Sequence, residues 1–392
     1  MLKFLKKLTS PREASHTYFL TNPQAQWSAN GYRKFADEAY IKNVIAHRSI
    51  SMIAASCASV PFKLYKKSKS NRIPLNDHPI LNLLSKPNPM QSSQEFMETV
   101  YAYRQIAGNA YILSACSKTQ TPQELYALRP DRITVLPGEG FVPQGYLYQV
   151  GEKKTEFRVN PVTGASLILH IKNFHPLSDW YGLSSIEAAA YSIDQHNQAG
   201  EWNQALLQNG ARPSGAIVVK SEQGMPTNLS EEQYIKLKGL IDDTFAGPRN
   251  AGRPIILEGG LDWREMSLSP KDMDYIESKH SSARDIALAL GMPPQLLGIP
   301  GDNTYANLQE ARLALWEQTI IPMVENVTGN LNTWLQGFYA SDLELSYSTD
   351  DISALTLRKE AMWNRVENCT FMTINEKRQT VGLGPIADGN RL

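Results

Sequence analysis

The run Ser269-Pro-Lys-Asp-Met-Asp-Tyr-Ile-Glu-Ser-Lys-His-Ser-Ser-Ala-Arg-Asp-Ile-Ala-Leu-Ala-Leu-Gly-Met-Pro-Pro294 predicts a long helix with well-marked ends. Ser269 can cap its N-terminus, Pro270 suits the first helical position, and Asp272 lies in the first turn. Gly291 and the prolines after it mark the C-terminus. A helix over 270–290 would be roughly 30 Å long.

A second long helix is predicted upstream, over about 184–208. Its apolar residues recur at helical spacing, and Gly210 and Pro213 follow as terminators. The apolar positions are Ile186, Ala190, Ile193, Trp202 and Leu206. The centre, Asp194-Gln-His-Asn-Gln198, is polar, and we interpret His196 as a residue of the polar face.

The residues between the two long helices predict a small αβ unit. Ile217-Val-Val219 has the composition of a strand, and Ser230-Glu-Glu-Gln233 has the pattern of a capping box at a helix start. Pro254-Ile-Ile-Leu-Glu258 and Leu261-Asp-Trp-Arg-Glu-Met266 predict two further strands, joined by Gly259-Gly260.

A long connection rich in glycine and proline, residues 291–306, follows the 270–290 helix, and its only charged residue is Asp302. Connections longer than about 12 residues are commonly functional. A helix is then predicted from about Asn307 to Trp334, with a kink at Pro322. Leu343-Glu-Leu-Ser-Tyr347 predicts a last strand, and the tail from Asp351 is helical in pattern.

The first half of the chain mixes both periodicities. Helical spacing covers about 41–60 and 93–107, and a short strand is predicted at 61–65. Further strand-like runs are Ala110–Leu113, Leu125–Leu128, Ile133–Leu136, Tyr146–Val150 and Leu167–His170. Together they predict an α+β domain that ends near Trp180.

Composition limits the classes of protein. The 392 residues carry 39 Lys and Arg against 39 Asp and Glu, a formal net charge of zero. A protein that grips DNA tightly usually has a basic excess, whereas a channel through which DNA slides does not need one. The three cysteines, Cys57, Cys116 and Cys369, are too far apart for a metal motif and favour a reducing compartment. No run approaches the roughly 18 apolar residues of a membrane span.

Motifs of enzyme chemistry are missing from the sequence. It contains no phosphate-binding loop, zinc-protease motif or nucleophile elbow. Asp272 and Asp274 are better explained by the helix N-terminus than by a metal. An enzyme remains the alternative, with Asp179 or Asp194 as a carboxylate and His175 or His196 as its partner. The pattern of helices alone would also fit an ordinary helical subdomain.

Short segments from about Tyr40 to Trp334 resemble, in order, the HK97-type phage portal family, which includes portals of gene-transfer agents. They are Asn43-Val-Ile-Ala-His-Arg48, Ser59-Val-Pro-Phe-Lys-Leu-Tyr65, Pro87-Asn-Pro89, Gly108-Asn-Ala-Tyr-Ile112, Leu128-Arg-Pro-Asp-Arg132, Asp179-Trp-Tyr-Gly-Leu-Ser184, Asn209-Gly-Ala-Arg-Pro-Ser-Gly215, Leu257-Glu-Gly-Gly-Leu261, Gly291-Met-Pro-Pro-Gln-Leu-Leu-Gly298 and Asn303-Thr-Tyr-Ala-Asn307. Asn375-Glu-Lys-Arg378 and Gly382-Leu-Gly-Pro385 resemble the family's C-terminal end, where Gly-Leu-Pro-Pro is commoner.

The resemblance implies an α+β portal fold with a wing, a two-helix stem, a small αβ clip and a short helical crown, assembled as a ring. By the family's layout, the segments are a flexible N-terminal arm (1–24), the wing (25–183), stem helix 1 (184–210), the clip (211–269), stem helix 2 (270–290), the tunnel loop (291–306), a kinked helix and strand returning to the wing (307–349), and the crown (350–392).

The resemblance also implies residues that face the DNA channel. In and beside the tunnel loop these are Asp302, Asn303, Thr304, Tyr305 and Asn307. On stem helix 2, the charged residues Lys271, Asp274, Glu277, Lys279 and Arg284 are expected to meet neighbouring subunits and the channel water. The apolar end of that helix, Ile286-Ala-Leu-Ala-Leu290, is expected to pack under the wing, so that Leu288 is buried.

The resemblance implies a ring of about twelve copies at one capsid vertex, through which double-stranded DNA passes. The implied partners are the terminase large subunit, a head-tail adaptor and the major capsid protein, with no membrane, cofactor or metal. The implied location is the virion, and the host cytoplasm during assembly. A head-completion or adaptor protein without a channel is the second alternative.

Overall fold

The computed structural model describes residues 31–67, 72–116, 121–138, 142–208, 215–219, 230–232, 235, 239, 261–265, 275–300, 305–350 and 352–391. The α-helices are α1 (Tyr32–Lys34), α2 (Val44–Ala58), α3 (Pro79–Ser85), α4 (Ser93–Ala107), α5 (Ser185–Ala188), α6 (Ala190–Gln208), α7 (Tyr275–Ala289), α8 (Tyr305–Ala314), α9 (Ile321–Leu335), α10 (Ser353–Glu367) and α11 (Ile374–Thr380). Two π-helical segments, Phe35–Ile41 and Leu315–Ile320, continue α1 and α8.

The strands form four small antiparallel sheets in the described residues. The strands are β1 (Phe62–Lys67), β2 (Arg72–Leu75), β3 (Asn109–Cys116), β4 (Pro122–Leu128), β5 (Ile133–Leu136), β6 (Gly145–Val150), β7 (Lys153–Arg158), β8 (Ile168–Lys172), β9 (Gly215–Val219), β10 (Leu261–Glu265) and β11 (Leu343–Tyr347). Their orders are β11-β1-β2, β4-β3-β8, β5-β6-β7 and β10-β9.

The helices α2 and α4 form the centre of the main core. Asn43 caps α2, because its side-chain oxygen accepts hydrogen bonds from the backbone N–H groups of Ile45 and Ala46 at 3.1 and 3.0 Å. Ser92 caps α4, and Gly108 ends it in the left-handed conformation. The helix predicted over 93–107 is therefore confirmed.

The core is continuous from these two helices to the strands and to α9. Ile53 of α2 and Phe96 of α4 have no exposed surface, and Ile112 of β3 is equally buried. Val327 and Leu331 on one face of α9 join the same cluster. Helix α9, late in the chain, therefore packs in the same core as Ile53, which lies early in the chain.

The strand β11 also returns to the first sheet, where it pairs antiparallel with β1 so that Leu345 lies opposite Leu64. The strand predicted at 343–347 is confirmed. Asp350, just beyond it, accepts a hydrogen bond from Lys63 Nζ at 2.8 Å, and this ion pair lowers the pKa of the carboxyl. The first and last strands are thus joined by backbone pairing and by charge.

Three structural details differ from the predictions. The strands β2 and β7 were not predicted, and neither contains a buried residue, so hydrophobic alternation could not reveal them. The helix predicted over 184–208 is divided at Ala189, whose φ of −93° and ψ of 3° leave the helical region. The helix predicted to begin near Asn307 begins at Tyr305.

The predicted disturbance at Pro322 takes the form of a π-helical segment, 315–320, immediately before it. Proline lacks an N–H, so the carbonyl four residues earlier loses its helical partner, and its ring crowds that carbonyl. Widening the preceding turn relieves this conflict, and α9 then starts with Pro322 in its first turn.

In the described part of residues 211–269, the predicted clip, β9 pairs with β10, and Gly215 lies opposite Glu265. These strands confirm the predictions at 217–219 and 261–266, while 254–258 lies outside the described residues. Glu231, Glu232, Ile235 and Gly239 are helical, as the capping box predicts. None of the helices that the structure describes is long and apolar enough to cross a membrane.

Candidate functional site: helix α7 and the loop after it

Helix α7 has one buried and one exposed face, and the division follows helical periodicity. The buried face consists of Ser282, Ala283, Ile286, Ala287 and Leu290. The exposed face consists of Glu277, Ser281, Arg284, Asp285 and Leu288. The buried face contacts α2, α5 and α6, and Gln195 Nε2 of α6 donates a hydrogen bond to Ser278 Oγ at 3.0 Å.

The expectation that Leu288 is buried was wrong for the subunit. Its side chain is 77% exposed. Two residues along a helix turn the side chain by about 200°, so Leu288 points away from the face that Ile286 and Leu290 share. When only one face of a helix is covered, a run of five apolar residues in that helix is partly exposed to solvent.

The C-terminus of α7 is closed by backbone hydrogen bonds that the sequence pattern predicts. The N–H of Gly291 donates to the carbonyl of Leu288 at 3.0 Å, and the N–H of Met292 donates to the carbonyl of Ala287 at 2.8 Å. This pair of bonds is the Schellman motif, and Gly291 adopts its left-handed φ of 71°. Met292 is only 2% exposed, so the chain is anchored where it leaves the helix.

The loop after α7 is fastened to two helices. Thr319 Oγ1, in the π-helical segment, donates a hydrogen bond to the carbonyl of Gly291 at 2.7 Å. Residues Pro294–Leu297 form a 3-10 turn, and Ile299 is buried. Arg284 Nη2 then donates to the carbonyl of Pro300 at 2.5 Å. Residues 291–300 are therefore held in place by contacts with both helices.

The predicted stem and tunnel-loop residues fall into three groups. Lys271, Asp274, Asp302, Asn303 and Thr304 lie outside the described residues, as does Asp272. Tyr305 and Asn307 lie in the first turn of α8 and not in an irregular loop. Glu277 and Arg284 are exposed on α7, and Lys279 is half-buried. The structure thus brings Arg284 and the loop together, an arrangement that the sequence did not reveal.

His196 is buried, which corrects its placement on a solvated polar face. It is 8% exposed, and its Nδ1 lies 3.3 Å from Asn43 Nδ2, the amide that also donates to Asn197 Oδ1 at 2.9 Å. Because an amide nitrogen can only donate, Nδ1 of His196 is the acceptor and the ring is neutral. Burial, with a contribution from Lys279, lowers the pKa of His196 accordingly.

The alternative enzyme site gains no support from the geometry. His175 Nδ1 accepts the N–H of Leu177 at 3.0 Å within its own turn, and the carbonyl of Asp179 accepts from Lys172 Nζ. His196 is turned toward Asn43, as described above. Among the described residues, no three His, Cys, Asp or Glu side chains are grouped so that they could hold a metal ion.

Two features of the site were missed from the sequence. No sequence motif marks Thr319, because its hydrogen bond is made to Gly291, which lies 28 positions away in the sequence. The cluster of Asn43, His196 and Asn197 joins residues more than 150 positions apart. The single available signal was the polar centre of the 184–208 helix, which an ordinary solvated face would also explain.

Comparison with known proteins identifies the family. The family model described as "Phage portal protein" matches residues 45–382. An uncharacterised protein of Rickettsia bellii is 46% identical over 355 residues, which cover 91% of this chain and 90% of that protein. The portal protein of Enterobacteria phage HK97 is 23% identical over 397 aligned positions, covering 98% of this chain and 88% of the relative.

Solved structures agree with this assignment. A chain from the neck of an empty gene transfer agent particle, computed with C6 symmetry, is 40% identical with a TM-score of 0.71, and the match covers 92% of this chain and 96% of that one. A portal protein from Corynebacterium diphtheriae, 13% identical, has the same fold with a TM-score of 0.58, over 85% of this chain and 98% of that one. This chain, with α7 and the anchored loop that follows it, therefore belongs to the phage portal protein family.

Proposed function

We propose that this chain forms the ring-shaped channel at one capsid vertex through which double-stranded DNA is packaged and released. The observation that carries the proposal is the likeness to gene transfer agent neck chains over 92% of this chain, at about 40% identity. One of those necks was computed with C12 symmetry. We infer about twelve copies of this chain in its own ring.

The site geometry supports a channel in which the protein guides DNA without binding it tightly. The loop after α7 is anchored over residues 291–300 by Met292, Ile299 and the Thr319 hydrogen bond. Arg284, the cation nearest to it on α7 by sequence, is hydrogen-bonded to the loop itself. A chain of zero net charge lacks the cationic excess that would hold phosphates strongly.

The proposed partners follow from the family. They are further copies of this chain, double-stranded DNA, the terminase large subunit during packaging, then a head-tail adaptor, and the major capsid protein around the ring. We propose that the chain itself carries out no hydrolysis and that ATP chemistry belongs to the terminase. Its proposed location is the virion, with assembly in the host cytoplasm.

The ring is tested by the mass and shape of the purified protein. Twelve copies of a 43.8 kDa chain give a particle of about 530 kDa. Light scattering should show that mass, and electron micrographs should show a ring with a central hole. A monomer or small oligomer at all concentrations would contradict the proposal and favour an enzyme. Compact particles without a hole would favour an adaptor.

The DNA-facing role of the loop is tested by adding charge. Replacing Asn303 and Thr304 with lysine should leave assembly unchanged and slow DNA translocation, more at low salt than at high salt, because each lysine near phosphate adds counterion release. The matched control is the same pair replaced with serine. Translocation rates unchanged at low salt would show that the loop does not face the DNA.

A further inference from the structure

A pocket of about 440 Å³ opens beside the short helix α1 and is lined mainly by polar residues. Three arginines from different parts of the chain line it: Arg33 of α1, Arg129 after β4, and Arg132 in the 3-10 turn Pro130–Arg132. Among the described residues of its lining, Asp131 alone is acidic. In a chain of zero net charge, this pocket is a local concentration of positive charge.

The ion pairing within the pocket leaves an excess of positive charge. Arg129 forms a two-pronged ion pair with Asp131, in which its Nε and Nη2 donate to the two carboxylate oxygens at 3.1 and 2.8 Å. Arg33 and Arg132 form no ion pair with any residue that the structure describes. Because a guanidinium group is always protonated in a folded protein, three arginines against one carboxylate leave two uncompensated positive charges.

The sheet β5-β6-β7 supplies the rest of the pocket wall. Thr134 of β5 lies opposite Leu147 of β6. Gln149, two residues further along β6, shares that face of the sheet because successive side chains alternate. Gln149 Nε2 donates a hydrogen bond to the carbonyl of Gly151 at 3.2 Å, which ties down the turn at the pocket rim. The exposed hydroxyl of Thr134 adds a neutral hydrogen-bond donor beside the arginines.

The neighbouring tyrosines do not neutralise the arginines. Tyr32, adjacent to Arg33 in the chain, packs edge-to-face against Tyr103 with 6.5 Å between ring centroids. Burial raises the pKa of Tyr32 to about 12 and also raises the pKa of Tyr103. Both phenols are therefore uncharged near neutral pH, and the excess positive charge of the pocket remains.

A terminal phosphate group matches this pocket in charge and in hydrogen bonding. Such a group carries about 1.5 to 2 negative charges near pH 7 and offers three acceptor oxygens. Arginine forks bind phosphate oxygens through paired, charge-assisted hydrogen bonds. A phosphodiester within a DNA strand carries a single negative charge. Two uncompensated positive charges at one concave site therefore favour the terminal group.

We propose that Arg33, Arg129 and Arg132 bind a terminal phosphate group. Arg33 and Arg132 supply the uncompensated charge, Asp131 orients the guanidinium of Arg129, and Thr134 donates a further hydrogen bond. Two sources share this chemistry: a free phosphate ion or nucleotide, and the 5′ end of a DNA strand. All the residues of the site belong to one subunit, so the inference does not depend on the proposed ring.

The pocket is tested with inorganic phosphate as the probe. Calorimetric titration of the full chain in a phosphate-free buffer should show binding that is weakened at least about tenfold by the double variant Arg33→Gln, Arg132→Gln, because two charged donors are lost. The matched control is Arg158→Gln with Arg365→Gln, which removes the same charge from exposed positions outside the pocket. The control should bind phosphate like the original chain. Circular dichroism melts of both variants should coincide with that of the original chain.

Two labelled DNA duplexes distinguish the sources of the phosphate. They have the same sequence, one with 5′ phosphates and one with 5′ hydroxyls, and their binding is followed by fluorescence anisotropy. A preference for the 5′-phosphorylated duplex that the double variant loses would assign the pocket to a DNA end. Binding of inorganic phosphate without such a preference would assign it to a free ion or nucleotide.

Two results would overturn the inference. The first is no difference between the original chain and the double variant with either inorganic phosphate or the 5′-phosphorylated duplex. The second is equal binding of the two duplexes without binding of inorganic phosphate, which would show that the arginines contact the DNA backbone. A chain that binds phosphate in this pocket but never forms rings would retain the inference and overturn the proposed function.

Discussion

Gly291 combines two requirements in a single residue. Its φ of 71° lies in the left-handed region that favours glycine, and its carbonyl accepts a hydrogen bond from the Thr319 hydroxyl. A Cβ placed on it would lie 2.9 Å from Thr319 Oγ1. Both the end of α7 and the hydrogen bond that anchors the following loop therefore favour a residue without a side chain at position 291.

Replacing Gly291 with alanine should therefore cost more than the conformational strain alone. Gly298→Ala is the matched control, because Gly298 has the same φ of 71° and a Cβ there would meet no described atom within 4 Å. We expect Gly298→Ala to lower the free energy of unfolding by about 1–2 kcal/mol. Gly291→Ala should lower it by roughly a further 1 kcal/mol or more, because Thr319 must move. Equal losses in urea melts would show that Thr319 adapts freely.

His170 is a half-buried neutral histidine with a defined partner. Its ring stacks on Tyr111 with 4.4 Å between centroids, and its Nε2 lies 2.9 Å from Asn109 Oδ1. Since Asn109 Oδ1 can only accept, Nε2 carries the proton and donates it. Burial, with a smaller contribution from Lys172, lowers the pKa of His170 to about 3.

The stability of the subunit should therefore fall in acid. Between the ordinary histidine pKa near 6.5 and the folded value of about 3, the unfolded chain binds a proton that the folded chain does not. His170 then reduces the free energy of unfolding by up to about 1.4 kcal/mol for each pH unit of decrease. His170→Gln keeps a donor but cannot titrate, so its stability should fall less steeply from pH 6.5 to 4. Identical slopes for the two proteins would contradict this assignment.

At the scale of elements, α7 shows what sequence can and cannot define. Its C-terminus at Gly291 was predictable because the Schellman motif depends on local residues. Its orientation was not, because Ile286 and Leu288 are equally apolar and only packing against α2, α5 and α6 decides which one is covered. The burial of His196 could not be predicted from the sequence either, because its partner Asn43 is distant in sequence.

The orientation of α7 predicts effects of very different size for neighbouring substitutions. Ile286→Asp should lower the free energy of unfolding by on the order of 4 kcal/mol, because Ile286 is fully buried and the carboxylate would be unpaired. Leu288→Asp should change it by less than about 1 kcal/mol, because the side chain is exposed. Glu277→Gln should also be nearly neutral.

These effects are measured by circular dichroism melts that are recorded below the concentration at which rings form. A loss from Leu288→Asp as large as that from Ile286→Asp would mean that the outer face of α7 is covered within the subunit.

At the scale of the whole molecule, the strands β9 and β10 of the predicted clip lie side by side. Gly215 is paired with Glu265, so we expect that a short linker can rejoin the chain when the segment is removed. Deleting 214–266 should leave the main core folded, because none of the described residues of that core comes from that segment. It should abolish stable rings or adaptor attachment.

A thermal melt of the deletion variant tests the first statement, and electron microscopy with an adaptor pull-down tests the second. Normal rings that still bind the adaptor would contradict the assignment of 211–269 as the clip.

The pairing of β11 with β1 has a consequence for biosynthesis. Roughly 280 residues separate these two strands. At about 5–20 residues per second the ribosome takes on the order of 15–55 s to make the second after the first. During that interval one edge of β1 has no partner, and Val327 and Leu331 have not yet joined the core. A nascent chain with an unpaired edge strand is a natural client for chaperones. The sheet β11-β1-β2 is therefore complete only after the ribosome has translated past Tyr347, when roughly nine-tenths of the chain has been made.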